Sequence, residues 1–309
     1  MTRVLVTGGG GFIGAHVVRR LVATGAEVGV VVRAGSDLRR LEPVIAQVRV
    51  LQAELADPAS VRAAVLAFRP ERCIHLAWYA EPGKYLHAQE NLAAVASGLA
   101  LLQTLIHAGC AQVVMAGTCA ECDVRQQPLR EDGPTDPGTL YAAAKLSLML
   151  MARELARRAG VPLAWGRIFY LYGPEEDARR AIPALITALQ AGREFPATAG
   201  TQVRDYLHVD DVAAAFVALA DGTAAGTFHI ASGAGVAMRT LMETAGRLAG
   251  RPELIRFGAR PQNDWDPPAI VGDGARLRAL GWAPRLALDE GLRETVAWWS
   301  GRAPAGPPR

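Results

Sequence analysis

Gly8-Gly9-Gly10-Gly11-Phe12-Ile13-Gly14 begins right after the apolar run Arg3–Thr7 and leads straight into the helical pattern Phe12–Thr24. Consecutive glycines at such a junction let the backbone turn sharply and keep side chains out of the turn. Read as Gly8-x-x-Gly11-x-x-Gly14, the spacing places glycine where a chain must turn, approach a pyrophosphate and pack a helix on a strand. The pyrophosphate would meet the positive end of the helix. Gly8, Gly11, Phe12, Ile13 and Gly14 are therefore candidate dinucleotide contacts.

The rest of the N-terminal half supports that reading. Apolar runs at Arg3–Thr7, Glu27–Val32, Val48–Gln52, Arg72–Ala77, Gln112–Ala116 and Pro162–Arg167 predict strands. Helical patterns near Phe12–Thr24, Pro58–Phe68, Tyr85–Ala108 and Tyr141–Ala159 separate most of them. Alternation of this kind predicts an α/β fold, a Rossmann-type doubly wound parallel sheet with helices on both faces. After Arg167 the regularity breaks. Val209–Leu219 and Gly226–Ile230 read as one more helix and strand rejoining the sheet. The expected division is a dinucleotide-binding domain over 1–167 with a return segment at about 209–231. Segments 168–208 and 232–309 would then form a smaller C-terminal substrate-binding lobe, ending in a frayed Pro- and Gly-rich tail, Arg302–Arg309.

The end of the second strand bears on which dinucleotide is bound. An acidic residue there would hold the free ribose hydroxyls of NAD, whereas arginine suits the extra phosphate of NADP. The sequence reads Val32-Arg33-Ala34-Gly35-Ser36, so Arg33 and Ser36 are the candidate phosphate donors and NADP(H) is favoured over NAD(H). Glu54 and Leu55, after the third strand, are placed to reach the adenine. Leu76 and Ala77, ending the fourth, would let the backbone lie along the cofactor.

Composition excludes several classes. The 33 basic and 30 acidic residues leave a formal charge of +3, too small a field to imply nucleic acid. No run of 18 apolar residues is present to span a membrane, and the start lacks a signal-peptide pattern, so a cytoplasmic location is expected. The four cysteines are Cys73, Cys110, Cys119 and Cys122, and only the last two form Cys-x-x-Cys. That pair follows an apolar strand rather than opening a thioredoxin-like helix, and no second pair lies near it. Reduced thiols are expected, and no metal site.

Tyr141-Ala142-Ala143-Ala144-Lys145 puts a phenol and an ammonium on one helix face. A nearby lysine cation and an oxidised nicotinamide would favour phenolate, drawing a group that titrates near pH 10 toward working pH for proton transfer to a carbonyl or from an alcohol. Thr118 stands at a strand end 23 residues earlier. With Thr7-to-Gly14, His75-Leu-Ala77, Asn91, Arg167-to-Pro174 and Arg204-to-Val212, the chain resembles the extended short-chain dehydrogenase/reductases that act on nucleotide sugars. These include epimerases, 4,6-dehydratases and 4-ketoreductases.

The resemblance implies that Thr118 bonds the reacting sugar oxygen beside Tyr141, and that Lys145 holds the nicotinamide ribose and tunes the tyrosine. It implies that Arg204 and Arg260 clamp the diphosphate and that Trp78, Tyr79 and Tyr170 line the sugar pocket. A homodimer formed through the helices near Tyr85–Ala108 and Tyr141–Ala159 is also implied. Three departures narrow the reaction. Cys119-Ala120 stand where dehydratases carry the Asp-Glu pair that eliminates water. Arg33 stands where epimerases usually carry the acid that retains NAD. Tyr170 stands where the family usually has Asn before Tyr-Gly-Pro. The expected function is therefore NADPH-dependent reduction of a nucleotide-linked 4-keto-6-deoxyhexose, as in deoxysugar biosynthesis. The alternatives are an epimerase with bound NAD, a reductase of small non-nucleotide carbonyls, and a catalytically silent NADP-binding protein.

Overall fold

In the computed structural model, residues 1–263 and 266–301 are described; the expected tail at Arg302–Arg309 lies outside the described residues. The first half runs β1 (Arg3–Thr7), α1 (Phe12–Ala23), β2 (Glu27–Val32), β3 (Val48–Gln52), α2 (Pro58–Phe68), β4 (Arg72–His75), α3 (Glu90–His107), β5 (Gln112–Thr118), α4 (Leu140–Ala159) and β6 (Leu163–Ile168). Next come β7 (Tyr170–Tyr172), α5 (Ala181–Gln190), β8 (Phe195–Ala197), β9 (Val203–His208), α6 (Val209–Ala220), β10 (Gly226–Ile230), β11 (Gly235–Ala237) and α7 (Met238–Leu248). The chain ends with β12 (Ile255–Phe257), β13 (Ala269–Ile270), α8 (Ala275–Ala279) and α9 (Leu288–Ser300).

Seven strands form one parallel sheet in the order β10-β6-β5-β4-β1-β2-β3. The order reverses between β1 and β4, and in open α/β sheets ligands bind in the crevice outside the strands' carboxyl ends at such a switch point. Strands buried on both faces read as continuous apolar runs rather than alternating ones. β5 is buried at every one of its 7 positions. One face packs α1 and α6 through Val17, Val18, Leu21, Val212, Phe216 and Leu219; the other packs α2, α3 and α4 through Val65, Phe68, Leu101, Leu105, Leu148 and Ala152.

Local signals set the helix ends. Asp57 caps α2 by accepting from the Ala59 N–H at 3.0 Å, with Pro58 at the first helical position. Thr139 caps α4 by accepting from the Ala142 N–H at 3.2 Å, which starts that helix one residue ahead of Tyr141, and Gly160 closes it in the left-handed conformation. Several expected boundaries move. Residues 82–87 form turns, so α3 starts at Glu90 rather than Tyr85, and β5 runs on through Gly117 to Thr118. β4 stops at His75, leaving Leu76 and Ala77 beyond the strand.

The remaining elements gather around a core of their own, in which Leu185, Leu189, Leu241, Ala245, Leu292 and Val296 of α5, α7 and α9 meet. β9 anchors a small sheet with β7, β11 and β13. Leu277 and Trp282, late in the chain, are buried with the α1–α6 side of the large sheet.

Candidate active site

The glycine turn lies at the switch point. Gly8 adopts φ +72, and a Cβ there would come within 2.7 Å of the Ala77 amide, so β1 and β4 close on each other only with glycine at this position. A Cβ on Gly14 would overlap the Gly8 carbonyl oxygen. Gly11 caps α1 without any side-chain bond, and the first turn of α1 has no acidic residue. The N–H groups of Phe12, Ile13 and Gly14 therefore have no intrahelical acceptor and suit a pyrophosphate. Leu76 and Ala77 lie against the turn: their N–H groups donate to the Thr7 carbonyl (3.2 Å) and the Thr7 hydroxyl (3.3 Å). That hydroxyl also bonds His75 Nδ1 at 2.7 Å.

Arg33 follows β2, is exposed, and has no side-chain partner among the described residues. Its neighbours are engaged: Arg39 forks onto Asp37, and Arg40 donates to the Glu175 carbonyl at 2.9 and 3.1 Å. Ser36 is half-buried and donates its N–H to the Arg33 carbonyl at 3.2 Å, closing a turn of the kind that can wrap a phosphate. Glu54 is exposed after β3, whereas Leu55 packs into the core below it.

Thr118, Tyr141 and Lys145 converge at the carboxyl ends of β4 and β5. Lys145 is buried, donates from Nζ to the Ala116 carbonyl at 2.8 Å, and lies 3.7 Å from the centre of the Trp78 ring. Trp78 donates its indole N–H to Asn91 Oδ1 at 2.8 Å, and Asn91 donates to the Tyr85 and Ala88 carbonyls. Tyr141 meets Tyr85 edge-on at 4.9 Å between ring centres and Trp78 at 6.3 Å. Trp78 thus supports the lysine and the tyrosine together.

The expected phenolate depends on the Lys145 cation together with an oxidised nicotinamide. In this protein burial dominates and pushes the phenol above its ordinary value, with hydrogen bonding to Thr118 opposing. Burial also brings Lys145 down to about 7, opposed by the charge of Glu121. His75 behind them is held neutral, pushed down to about 3 by burial and then by Lys145.

The expected substrate residues divide. Tyr170 and Arg204 come together, with the guanidinium 5.4 Å from the ring centre, but Arg204 is buried and ion-paired to Asp266 rather than free. Arg260 is exposed, and its backbone N–H donates to the Ala197 carbonyl at 3.0 Å. Tyr79 donates its hydroxyl to Glu81 at 2.8 Å. Cys119 and Cys122 are free and buried, and burial pushes their thiols up to about 12 and about 11, far from a reactive thiolate. His208, Asp210 and Glu294 cluster within 4.8 Å, and His208 Nδ1 accepts the Asp210 N–H at 3.3 Å as the cap of α6.

Three residues were missed in the sequence. Tyr85 packs on Tyr141 from the turn before α3; Arg180 lies 5.3 Å from the Tyr85 ring centre; and Glu121 is fully buried beside Thr118. Only tertiary contacts mark them.

Comparison with known proteins agrees with this geometry. Residues 4–231 match the model of the NAD dependent epimerase/dehydratase family. The chain is 30% identical to a probable UDP-glucuronate 4-epimerase of Rhizobium meliloti, covering 96% of each protein. It is 29% identical to a dTDP-glucose 4,6-dehydratase of Mycolicibacterium smegmatis over 96% of this chain and 93% of that one. The crystal structure of Thermus thermophilus UDP-glucose 4-epimerase with NAD superposes with a TM-score of 0.85 at 28% identity, covering 98% of this chain and 100% of that one. The chain belongs to the NAD dependent epimerase/dehydratase family, the extended short-chain dehydrogenase/reductases of nucleotide sugars, and is an oxidoreductase-type enzyme of that family.

Proposed function

We propose that this enzyme reduces the 4-keto group of a nucleotide-linked 4-keto-6-deoxyhexose with NADPH. A bound dinucleotide supplies the hydride. Tyr141, kept protonated by its burial, donates its proton to the C4 oxygen. The Thr118 hydroxyl oxygen accepts the Ala120 N–H at 3.3 Å, and its hydrogen, which bonds Tyr141 here, would turn to the same sugar oxygen when substrate binds. Lys145, as ammonium, offsets the charge left on the tyrosine. Arg204 and Arg260 are assigned to the diphosphate, and Tyr79, Trp78 and Tyr170 to the walls of the sugar pocket.

The observation that carries the reductase reading is Arg33. It is an exposed cation just past β2 with no side-chain partner among the described residues, which supports a contact with the 2′-phosphate of NADP(H), the cofactor a reductase exchanges at every turnover. An epimerase is the second reading, favoured by full-length similarity to a probable UDP-glucuronate 4-epimerase. Dehydration is disfavoured because Cys119, with its thiol pushed up to about 12, and Ala120 supply no acid–base pair. Leu92, Leu150 and Met151 leave α3 and α4 with exposed apolar side chains, which supports a homodimer through these helices. Among the described residues no helix is long and apolar enough to cross a membrane, and with four free thiols we place the protein in the cytoplasm. The division into a dinucleotide domain and a substrate lobe is part of the same proposal.

The test is NADPH and NADH oxidation with a panel of nucleotide-linked 4-keto-6-deoxyhexoses. Stoichiometric NADPH consumption in preference to NADH supports the reading. Interconversion of sugar isomers with tightly retained dinucleotide and no consumption replaces it with an epimerase.

A further inference from the structure

Three residues past Thr118 stands a carboxylate that the proposed chemistry does not use. Glu121 has no exposed surface. Its Oε1 accepts the Thr118 N–H at 2.8 Å, both oxygens accept from Trp165 Nε1 at 3.1 Å, and Oε2 accepts from Arg167 Nε at 2.8 Å. Space for it exists because residue 117 is glycine: a Cβ there would come within 2.7 Å of Oε1 and would overlap the Trp165 indole nitrogen. Thr118 and Glu121 cap each other's backbone around the short turn Cys119–Glu121. The carboxylate thus fixes the strand end that presents the Thr118 hydroxyl.

Packing alone does not reward this arrangement. Arg167 Nη1 is buried without an acceptor, so the ion pair is incompletely satisfied. A buried pair of this kind is weak support for stability, because desolvation can exceed the attraction between the two ions.

We propose that Glu121 is a positioning residue for the reaction, holding Thr118 in register and supplying the anion that faces the Tyr141–Lys145 pair from inside the protein. The inference rests on the assignment of Thr118, Tyr141 and Lys145 as the reacting group. The groups facing Lys145 and Tyr141 are His75 on β4, Tyr85 and Trp78 from the segment before α3, and Cys119 and Glu121 after β5, with Arg167 on β6 behind the acid. Of these Glu121 is the carboxylate: burial raises it above its ordinary value, while Arg167, the Thr118 N–H and Trp165 hold the charged form, and in that form it opposes the loss of the Lys145 proton.

The chain offers a direct readout, because Lys84 and Lys145 are its only lysines. Protein carrying [ε-13C]lysine gives two side-chain signals, one from the exposed Lys84 and one from Lys145, which can be followed by NMR against pH with and without bound NADPH. Glu121→Gln should lower the Lys145 midpoint by about one pH unit and leave Lys84 unmoved. Arg167 loses its counter-charge in that variant, so Glu121→Gln with Arg167→Gln serves as a second variant that keeps a neutral hydrogen-bonded pair. It should shift Lys145 in the same direction. A Lys145 midpoint that stays in place in folded variants, even with a lower melting temperature, overturns the inference and makes Glu121 a fold residue only. Turnover of Tyr141→Phe tests the underlying assignment separately, since an active Tyr141→Phe would remove the reacting pair whatever Lys145 does.

Discussion

Arg33→Ala gives a quantitative test of cofactor choice. Arg33 is exposed and makes no side-chain contact among the described residues, so its removal should leave stability within about 0.5 kcal/mol of the parent. Arg39 cannot stand in for it while it is held on Asp37 at 2.7 to 3.1 Å, nor Arg40 while it donates to the Glu175 carbonyl. A hydrogen bond to a charged group contributes about 1.5–3 kcal/mol, and exposure places this contact at the lower end. A loss of about 1.5–2 kcal/mol corresponds to a roughly 10- to 30-fold weaker Kd for NADPH. NADH has no 2′-phosphate, and its Kd should change less than about twofold. Fluorescence titration of both dinucleotides at low and high salt measures this, and the NADPH advantage should shrink with ionic strength. An equal effect on both dinucleotides, or none on NADPH, refutes the reasoning and returns the enzyme to NAD.

Two further outcomes follow from the geometry. Gly14→Ala places a Cβ against the Gly8 carbonyl and 2.8 Å from the Gly9 Cα, so the turn must open and both dinucleotides should bind at least about tenfold more weakly in the same titration. Unchanged affinity would contradict the placement of the pyrophosphate. His75 and His229 are each pushed down to about 3 by burial, so the folded protein keeps them neutral while the unfolded chain protonates them near pH 6.5. Their contribution is fully present above about pH 6.5 and is lost as pH falls toward 3, at about 1–2 kcal/mol each by pH 5. Urea midpoints between pH 7.5 and 5 should therefore fall more steeply in the parent than in a His75→Asn, His229→Asn variant. Equal slopes would contradict it.

Much of the dinucleotide-binding half was legible because its signals are local. The bounds of β1, β2, β3 and α2 match the expected ones residue for residue, since strands buried on both faces carry unbroken apolar runs and Asp57-Pro58 marks its own helix start. Tyr85 falls in a helical pattern by sequence because the turns at 82–87 carry no signal that separates them from a helix. The apolar run ends at Ala116, but Gly117 and Thr118 complete β5, whose end presents the Thr118 hydroxyl. Glu121 was illegible for a different reason: its burial depends on Trp165, Arg167 and the missing side chain of Gly117. The same holds for Arg204, whose partner Asp266 is 62 residues away. The balance at Tyr141 was not legible either, since desolvation is the larger local effect and the expected phenolate depends on an oxidised nicotinamide beside Lys145.

In the proposed reaction Tyr141 exchanges the proton in a redox step on a nucleotide-linked sugar. The decisive measurement is turnover of Tyr141→Phe on the 4-keto-6-deoxyhexose panel beside its Kd for NADPH. Turnover should fall at least about 100-fold with dinucleotide affinity nearly unchanged. Turnover equal to the parent's would contradict it.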